Sequence, residues 1–348
     1  MKQQLTFSTP LRRRRFARNL ATIAGAAAAI PAAEMSSLFS ADAQPSGKPK
    51  PVILTTDIGD DIDDTWALGL LLKSPELDLK LVLGDYGKNQ YRAKLLAKFL
   101  QTVGHSNVPI GIGMDIEPRG EGAQTGWLKD YDLGSYPGKI HQDGVQALID
   151  IVMGSPETVT IISIGPMPNV AAALAREPRI AQRARLVGMY GSVRLGYDGS
   201  KTVSAEWNVR ADAKSCQKAF TAPWEITITP LDTCGLVTLT GERYQRVRDS
   251  KDLIASTIIE NYRVWSKANK APDNTAEQRS SVLFDTVAVY LATSHDLCRM
   301  ERLGIRVTDD GFTRIDERAK QMGVATEWKS LDEYRDFLVN RLTGKQAM

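Results

Sequence analysis

Apolar and polar residues alternate along this chain with two different periods. Residues 51–57 (PVILTTD), 77–85, 158–165, 185–191 and 225–232 are short, nearly unbroken runs rich in Val, Ile and Leu. Runs of that length and make-up predict strands buried on both faces. Residues 64–74, 90–104, 144–154 and 169–178 fall between them and carry helical spacing, as do residues 250–269 and 285–293. A shorter apolar run at 108–113 predicts one more strand. Strands that alternate with helices predict an α/β fold, a single domain with a mostly parallel central sheet flanked by helices. Residues 305–316 (IRVTDDGFTRID) predict a hairpin, because Asp-Gly separates two β-prone runs. Residues 114–142 and 192–205 show neither period and predict long irregular segments. No internal repeat interrupts this order.

Charge is unevenly placed. Residues 1–43 hold six basic and two acidic residues, a net of +4, so the rest of the chain stands at −1 of the total of +3. A nearly neutral body gives no electrostatic footprint for nucleic acid. The basic end reads as a targeting segment. Arg13 and Arg14, followed by Arg15 and Phe16, resemble a twin-arginine export signal. A short alanine-rich stretch follows, and Ala41-Asp42-Ala43 fits a small-residue cleavage site. The expected organisation is a signal peptide at 1–43, a polar linker at 44–50 and a catalytic domain at 51–348. The protein is then periplasmic or secreted, with no membrane association once the signal is cut. Three scattered cysteines, Cys216, Cys234 and Cys298, suit buried small side chains and not a disulfide framework.

The candidate chemistry lies in residues 54–69, LTTDIGDDIDDTWALG, where five aspartates fall between an expected strand and an expected helix. Ligands of parallel sheets bind beyond the C-terminal ends of strands. A helix N-terminus favours one or two carboxylates, at about 0.3–1 kcal/mol each. Five, crowded where water is scarce, repel unless a cation neutralises them. Oxygen-only ligands select a hard cation, Ca²⁺ or Mg²⁺. An aspartyl phosphohydrolase would need a second Asp two residues after the first, where Gly59 stands.

This segment resembles the signature of the inosine–uridine-preferring nucleoside hydrolases. Further fragments resemble that family in its own order: HQDGV at 141–145, SIGPMPNVAAAL at 163–174, MYGSV followed by AEWNVRAD at 205–212, and LFDTVAVYL at 283–291. The resemblance implies a Rossmann-like architecture and a Ca²⁺-dependent hydrolysis of the N-glycosidic bond of ribonucleosides, with a small-molecule substrate. It implies Asp57 as general base and calcium ligand, Asp64, Asp285 and the Ile164 carbonyl as further ligands, and Asp63, Glu206 and Asn208 as residues that hold the ribose. Asp61 takes one of these places if the glycine of the motif, and not the helix, sets the alignment. Asp85 stands where the family has an Asn near the sugar. Phe284 replaces the His that many members use to protonate the leaving group, which opens the leaving-group specificity. A homodimer or a homotetramer stays open.

The chemistry follows from the same residues. Glycosidic cleavage passes through an oxocarbenium-like state that carboxylates stabilise. Asp57 can take a proton from water, and Asp63, Glu206 and Asn208 can fix the sugar. Trp127, Trp207 and Tyr190 lie in or near the irregular segments and are candidates to stack on a base. His105 and His295 read as surface or capping residues, and His141 as a candidate of the long loop. Two other readings remain: cleavage of another ribosyl or glycosyl compound, and a binding protein for nucleosides or sugars without catalysis.

Overall fold

The computed structural model describes residues 47–344, apart from 115, 117–119 and 273. The expected signal segment lies outside the described residues. The first strand, β1 (Lys50–Thr56), follows, with six of its seven residues buried. Its side chains alternate between two cores. Val52 and Leu54 enter one apolar cluster and Ile53 the other, as a strand covered on both faces requires.

Six more parallel strands accompany it: β2 (Leu77–Gly84), β3 (Ile110–Gly111), β4 (Ile140–His141), β5 (Val159–Ser163), β6 (Ala184–Met189) and β7 (Ile226–Thr229). The C-terminal part adds β8 (Cys298–Val307), β9 (Thr313–Ile315) and β10 (Gln321–Trp328). The sheet order is β4-β3-β2-β1-β5-β6-β7-β10-β8-β9. Strand β10 runs parallel to β7, and β8 is antiparallel to both β10 and β9. The expected Asp-Gly hairpin is thus the β8–β9 turn. Strand order reverses at β1, whose neighbours are β2 and β5, and a parallel α/β sheet opens its binding crevice at such a reversal.

Helices cover both faces. Those before β7 are α1 (Asp63–Leu72), α2 (Asn89–Thr102), α3 (Thr125–Leu128), α4 (Gly144–Gly154), α5 (Pro168–Arg176), α6 (Trp207–Ala211) and α7 (Ala213–Thr221). After β7 come α8 (Gly241–Arg248), α9 (Leu253–Ala268), α10 (Thr275–Gln278), α11 (Thr286–Thr293) and α12 (Leu331–Thr343). None of the described helices is long and apolar enough to cross a membrane. The described residues fall within one compact unit. The three cysteines are free and buried.

Two sequence readings change here. Residues 114–142 are not wholly irregular, since α3 and β4 lie within them, while the strand at 108–113 shrinks to Ile110–Gly111. Short elements carry too few residues to establish a period, and this accounts for both differences.

Candidate active site

Asp57 leaves the end of β1, and Ile164 and Gly165 leave the end of the adjacent β5. The Ile164 N–H donates to the Thr55 carbonyl at 2.9 Å, which keeps the two turns together. Gly165 makes their close approach feasible. A Cβ at this position would stand 2.7 Å from Asp57 Oδ1 and 2.8 Å from its backbone nitrogen.

Next, α1 and α11 pack against each other. Asp63 and Asp64 occupy the first turn of α1, and Asp285 is the N-cap of α11. Two helix N-termini therefore supply favourable dipole ends to carboxylates gathered from opposite ends of the sequence. The Asp285 N–H donates to Asp63 Oδ2 at 3.2 Å, and the Thr56 hydroxyl donates to Asp64 Oδ1. Oxygens of Asp63, Asp64 and Asp285 lie within 4.8 Å of one another, and all three residues are buried. Burial first, and then the neighbouring carboxylates, hold these three groups well above the usual carboxylate range. Burial also pushes Asp57 up to about 7; Arg92 opposes that rise, and Asp60 and Asp61 add to it.

A cavity of about 300 Å³ opens over these residues, at the lower end of the roughly 300–1,000 Å³ usual for small-molecule pockets. Asp57, Asp61, Asp63, Asp64, Ile164, Glu206, Asn208, Phe284 and Asp285, all singled out in the sequence, line it together. Glu206 is the N-cap of α6 and accepts N–H bonds from Gly191, Asn208 and Val209 at 2.9, 2.7 and 3.3 Å. Burial nevertheless pushes its carboxyl up to about 7. Asn208 Nδ2 donates to the carbonyls of Ile164 and Met189, each at 3.1 Å. Its two amide hydrogens are thereby committed, and Oδ1 remains to accept from a ligand.

Asp85 does not line this cavity. It is buried behind the site, where Oδ1 accepts the Tyr86 N–H at 3.0 Å. Of the three aromatic candidates only Trp207 reaches the cavity. The Tyr190 hydroxyl is committed to Gly165 O and Ser163. Trp127 is buried with the Lys98 ammonium 4.6 Å from its ring centre. The three histidines, His105, His141 and His295, all lie outside the cavity lining.

The structure also separates aspartates that look alike in sequence. Asp60 is ion-paired, with Lys88 Nζ at 2.5 Å and Arg92 Nη2 at 2.9 Å. Burial works against its charge, but Arg92 and Lys88 outweigh that and hold its carboxyl below the usual range. Arg92 is fully buried. Beyond Asp60, it donates to the carbonyls of Gly87, Ile58 and Tyr86 at 2.9, 2.8 and 2.8 Å, and to that of Asp57. Its five N–H groups thus meet five acceptors and tie the turn after β1 to the turn after β2.

Sequence reasoning also missed Tyr197, Met189 and Trp265, which line the cavity. Tyr197 meets Phe284 edge to face, with centroids 6.2 Å apart, and its hydroxyl accepts the Trp207 N–H at 2.9 Å. Trp265 Nε1 donates to the Asp60 carbonyl at 3.0 Å.

An acidic cavity at the strand-order reversal of a parallel α/β sheet is the place where this class of fold binds a small molecule. The sequence model for inosine-uridine preferring nucleoside hydrolases matches residues 52–335, and the chain belongs to that family. It is 28% identical over 273 residues to the inosine-uridine preferring nucleoside hydrolase of Crithidia fasciculata, covering 74% of this chain and 84% of that one. It is 29% identical over 299 residues to a pyrimidine-specific ribonucleoside hydrolase of Enterobacter sp. (strain 638), covering 80% and 85%. A plant nucleoside hydrolase structure aligns with a TM-score of 0.72 at 20% identity, over 85% of this chain and 99% of that one. A purine-preferring ribonucleoside hydrolase from Gardnerella vaginalis aligns with a TM-score of 0.69 at 22% identity, with the same coverage. These two structures speak to the fold.

Proposed function

We propose that the cavity binds a ribonucleoside and hydrolyses its N-glycosidic bond with water activated by Asp57. The observation that carries this reading is the meeting of Asp57, Asp63, Asp64, Asp285, Glu206 and Asn208 around one cavity in a chain of the nucleoside hydrolase family. Asp57 is the base. Its carboxylate lines the cavity together with Asp64 and Asp285, where it can take a proton from a water held against the sugar. Asn208 Oδ1 and Glu206 accept hydrogen bonds from sugar hydroxyls, and the second oxygen of Asp63 does the same. The carboxylates together stabilise positive charge as it develops at the anomeric carbon.

The donor set fits a hard cation, because it consists of oxygen alone and its members repel one another when unneutralised. Asp64 and Asp285, whose oxygens cluster with those of Asp63, would hold this cation, and Asp57 and the Ile164 carbonyl, which line the same cavity, would complete the set. We assign it as Ca²⁺. When bound, it supplies positive charge that orients the sugar hydroxyls and acidifies water.

Residues 1–43 serve in this reading as a twin-arginine signal, so that a folded hydrolase is delivered to the periplasm or beyond.

The test is ribose release from a panel of nucleosides, with calcium and after chelation. Release that depends on calcium is expected. Tight nucleoside binding without any release would replace this reading with that of a binding protein.

A further inference from the structure

Between β6 and α6, residues 192–205 form neither strand nor α-helix and hold only a short turn at Tyr197–Gly199. This segment places Tyr197 in the cavity lining and leads into Glu206, the cap of α6. A segment without a ladder of its own keeps one shape only if its backbone groups find partners elsewhere.

Three of them find Asp232. This residue follows β7 and is 2% exposed. Its Oδ2 accepts the Val193 N–H at 2.9 Å, and its Oδ1 accepts those of Arg194 and Leu195 at 2.7 and 3.2 Å. Successive N–H groups form a concavity that suits a carboxylate. Asp232 does not line the cavity, so any effect on a substrate must pass through the segment it holds.

Thr313 of β9 holds the neck of the same segment. Its Oγ1 accepts the Ser192 N–H and donates to the Ser192 carbonyl, both at 2.9 Å. Ser192 then closes the loop on itself, since its hydroxyl donates to the Leu195 carbonyl at 2.6 Å and accepts the Ser204 N–H at 2.9 Å. Tyr197 is gripped within that loop. Its N–H donates to Ser204 Oγ at 3.4 Å, and its hydroxyl accepts the Trp207 N–H at 2.9 Å.

We propose that Asp232 is a positioning residue for substrate binding, which gathers residues 193–195 and thereby holds Tyr197 as a fixed wall against which the aglycone packs. This rests on the reading that the cavity binds ribonucleosides. Polarity divides the cavity between the two halves of such a substrate. The sugar, rich in hydroxyls, belongs with Asp57, Asp63, Asp64 and Asp285, which are at most 5% exposed. The flat heteroaromatic aglycone belongs with the rings at the rim, where Tyr197 and Trp207 are 36% and 37% exposed. A ring that is already held loses little freedom when the aglycone arrives, so more of the contact energy appears as affinity. Released from Asp232, the same ring would have to be ordered at each binding event.

The experiment measures kcat and KM for the nucleoside that the unaltered full-length protein cleaves fastest, and Ki for free ribose, with calcium supplied. Asp232→Asn turns one of two acceptor oxygens into a donor, so at least one N–H loses its partner. KM for the nucleoside should rise by about 10-fold, the scale of one lost hydrogen bond to a charged group. Turnover and the Ki for ribose should change by less than about 2-fold, because the sugar side of the cavity is untouched. Thr313→Val removes both bonds to Ser192 and should move the same KM in the same direction. In a Tyr197→Ala background either substitution should change KM by less than about 2-fold, because a residue that acts through Tyr197 then has nothing to position. If Asp232→Asn does not fold, Thr313→Val in the two backgrounds decides alone. An unchanged KM, or a rise of equal size with and without Tyr197, would overturn the proposal and leave the hydrolase reading standing. If the unaltered protein releases ribose from no nucleoside, the hydrolase reading fails and this inference with it.

Discussion

The guanidinium of Arg92 donates to the backbone carbonyl of Asp57, so the arginine's charge meets the back of that residue and leaves its carboxylate to the cavity. A direct pair between the two side chains would have quenched the base. Replacing Arg92 by Met removes its bonds to four carbonyls and leaves the Asp60 carboxylate to Lys88 alone. Breaking one side of a buried charged network typically costs about 3–5 kcal/mol. A loss of that size in urea unfolding is expected. Arg92→Lys should recover only part of it, because three donors cannot serve five acceptors. Near-native stability of Arg92→Met would show that the clamp holds nothing.

Asp57→Asn keeps the shape of the side chain and removes its basicity. Turnover should fall by about 10²-fold or more, while the KM for the riboside changes little. Equal losses in turnover and in substrate affinity would assign Asp57 to binding.

Stability should depend on pH with opposite signs before and after calcium is supplied. Asp57 is raised to about 7, and Asp63, Asp64 and Asp285 are raised well above their usual range. In the unfolded chain such groups titrate near pH ~3.9. Across that window the native state binds more protons at these four groups, so their contribution to stability without a cation is greatest below about pH 4 and declines as pH rises through about 7. A bound cation favours the charged carboxylates, lowers their pKa values and reverses the slope. Melting temperatures with chelator and with calcium, taken from pH 4 to 8, check both signs. Parallel curves would mean that these carboxylates hold no cation.

Phe284→His places an acid beside the Asp285 cap. Turnover of inosine should rise relative to 4-nitrophenyl riboside, whose leaving group departs without protonation, while inhibition by free ribose stays nearly constant. An unchanged substrate profile would remove Phe284 from leaving-group selection.

Replacing Arg13 and Arg14 by lysine should leave the precursor in the cytoplasm, active and folded. Fractionation of expressing cells reads the outcome, and undiminished export would exclude the twin-arginine route.

Much of this site can be read in the sequence because its acidic residues sit where the two periods meet. Asp57 closes an apolar run that could only be a strand, and Asp63 and Asp64 open a run that could only be a helix. The chain rule for parallel sheets then puts them in a crevice. Asp60 was inseparable from them, since Lys88 and Arg92, which distinguish it, lie 28 and 32 positions away. Arg92 itself sits among the basic residues of an amphipathic helix, and pattern gives no sign that backbone carbonyls will enclose one of them. Tyr197 lies in a segment without any period, and Trp265 lies on a helix, α9, most of whose apolar residues serve the core. Asp85 failed for a different reason. The end of a strand can face the crevice or the core behind it, and one residue's register decides which.

Asp63 and Asp285 meet across 222 positions of chain. Contacts of such separation form late in folding, because a long loop must close before they are rewarded. Here closure also drives like charges together as water leaves. The final stage of folding is therefore the one that the protein's own chemistry opposes. A cation bound by these carboxylates would relieve this opposition, and would then set how quickly a newly made molecule becomes active as well as how long it lasts.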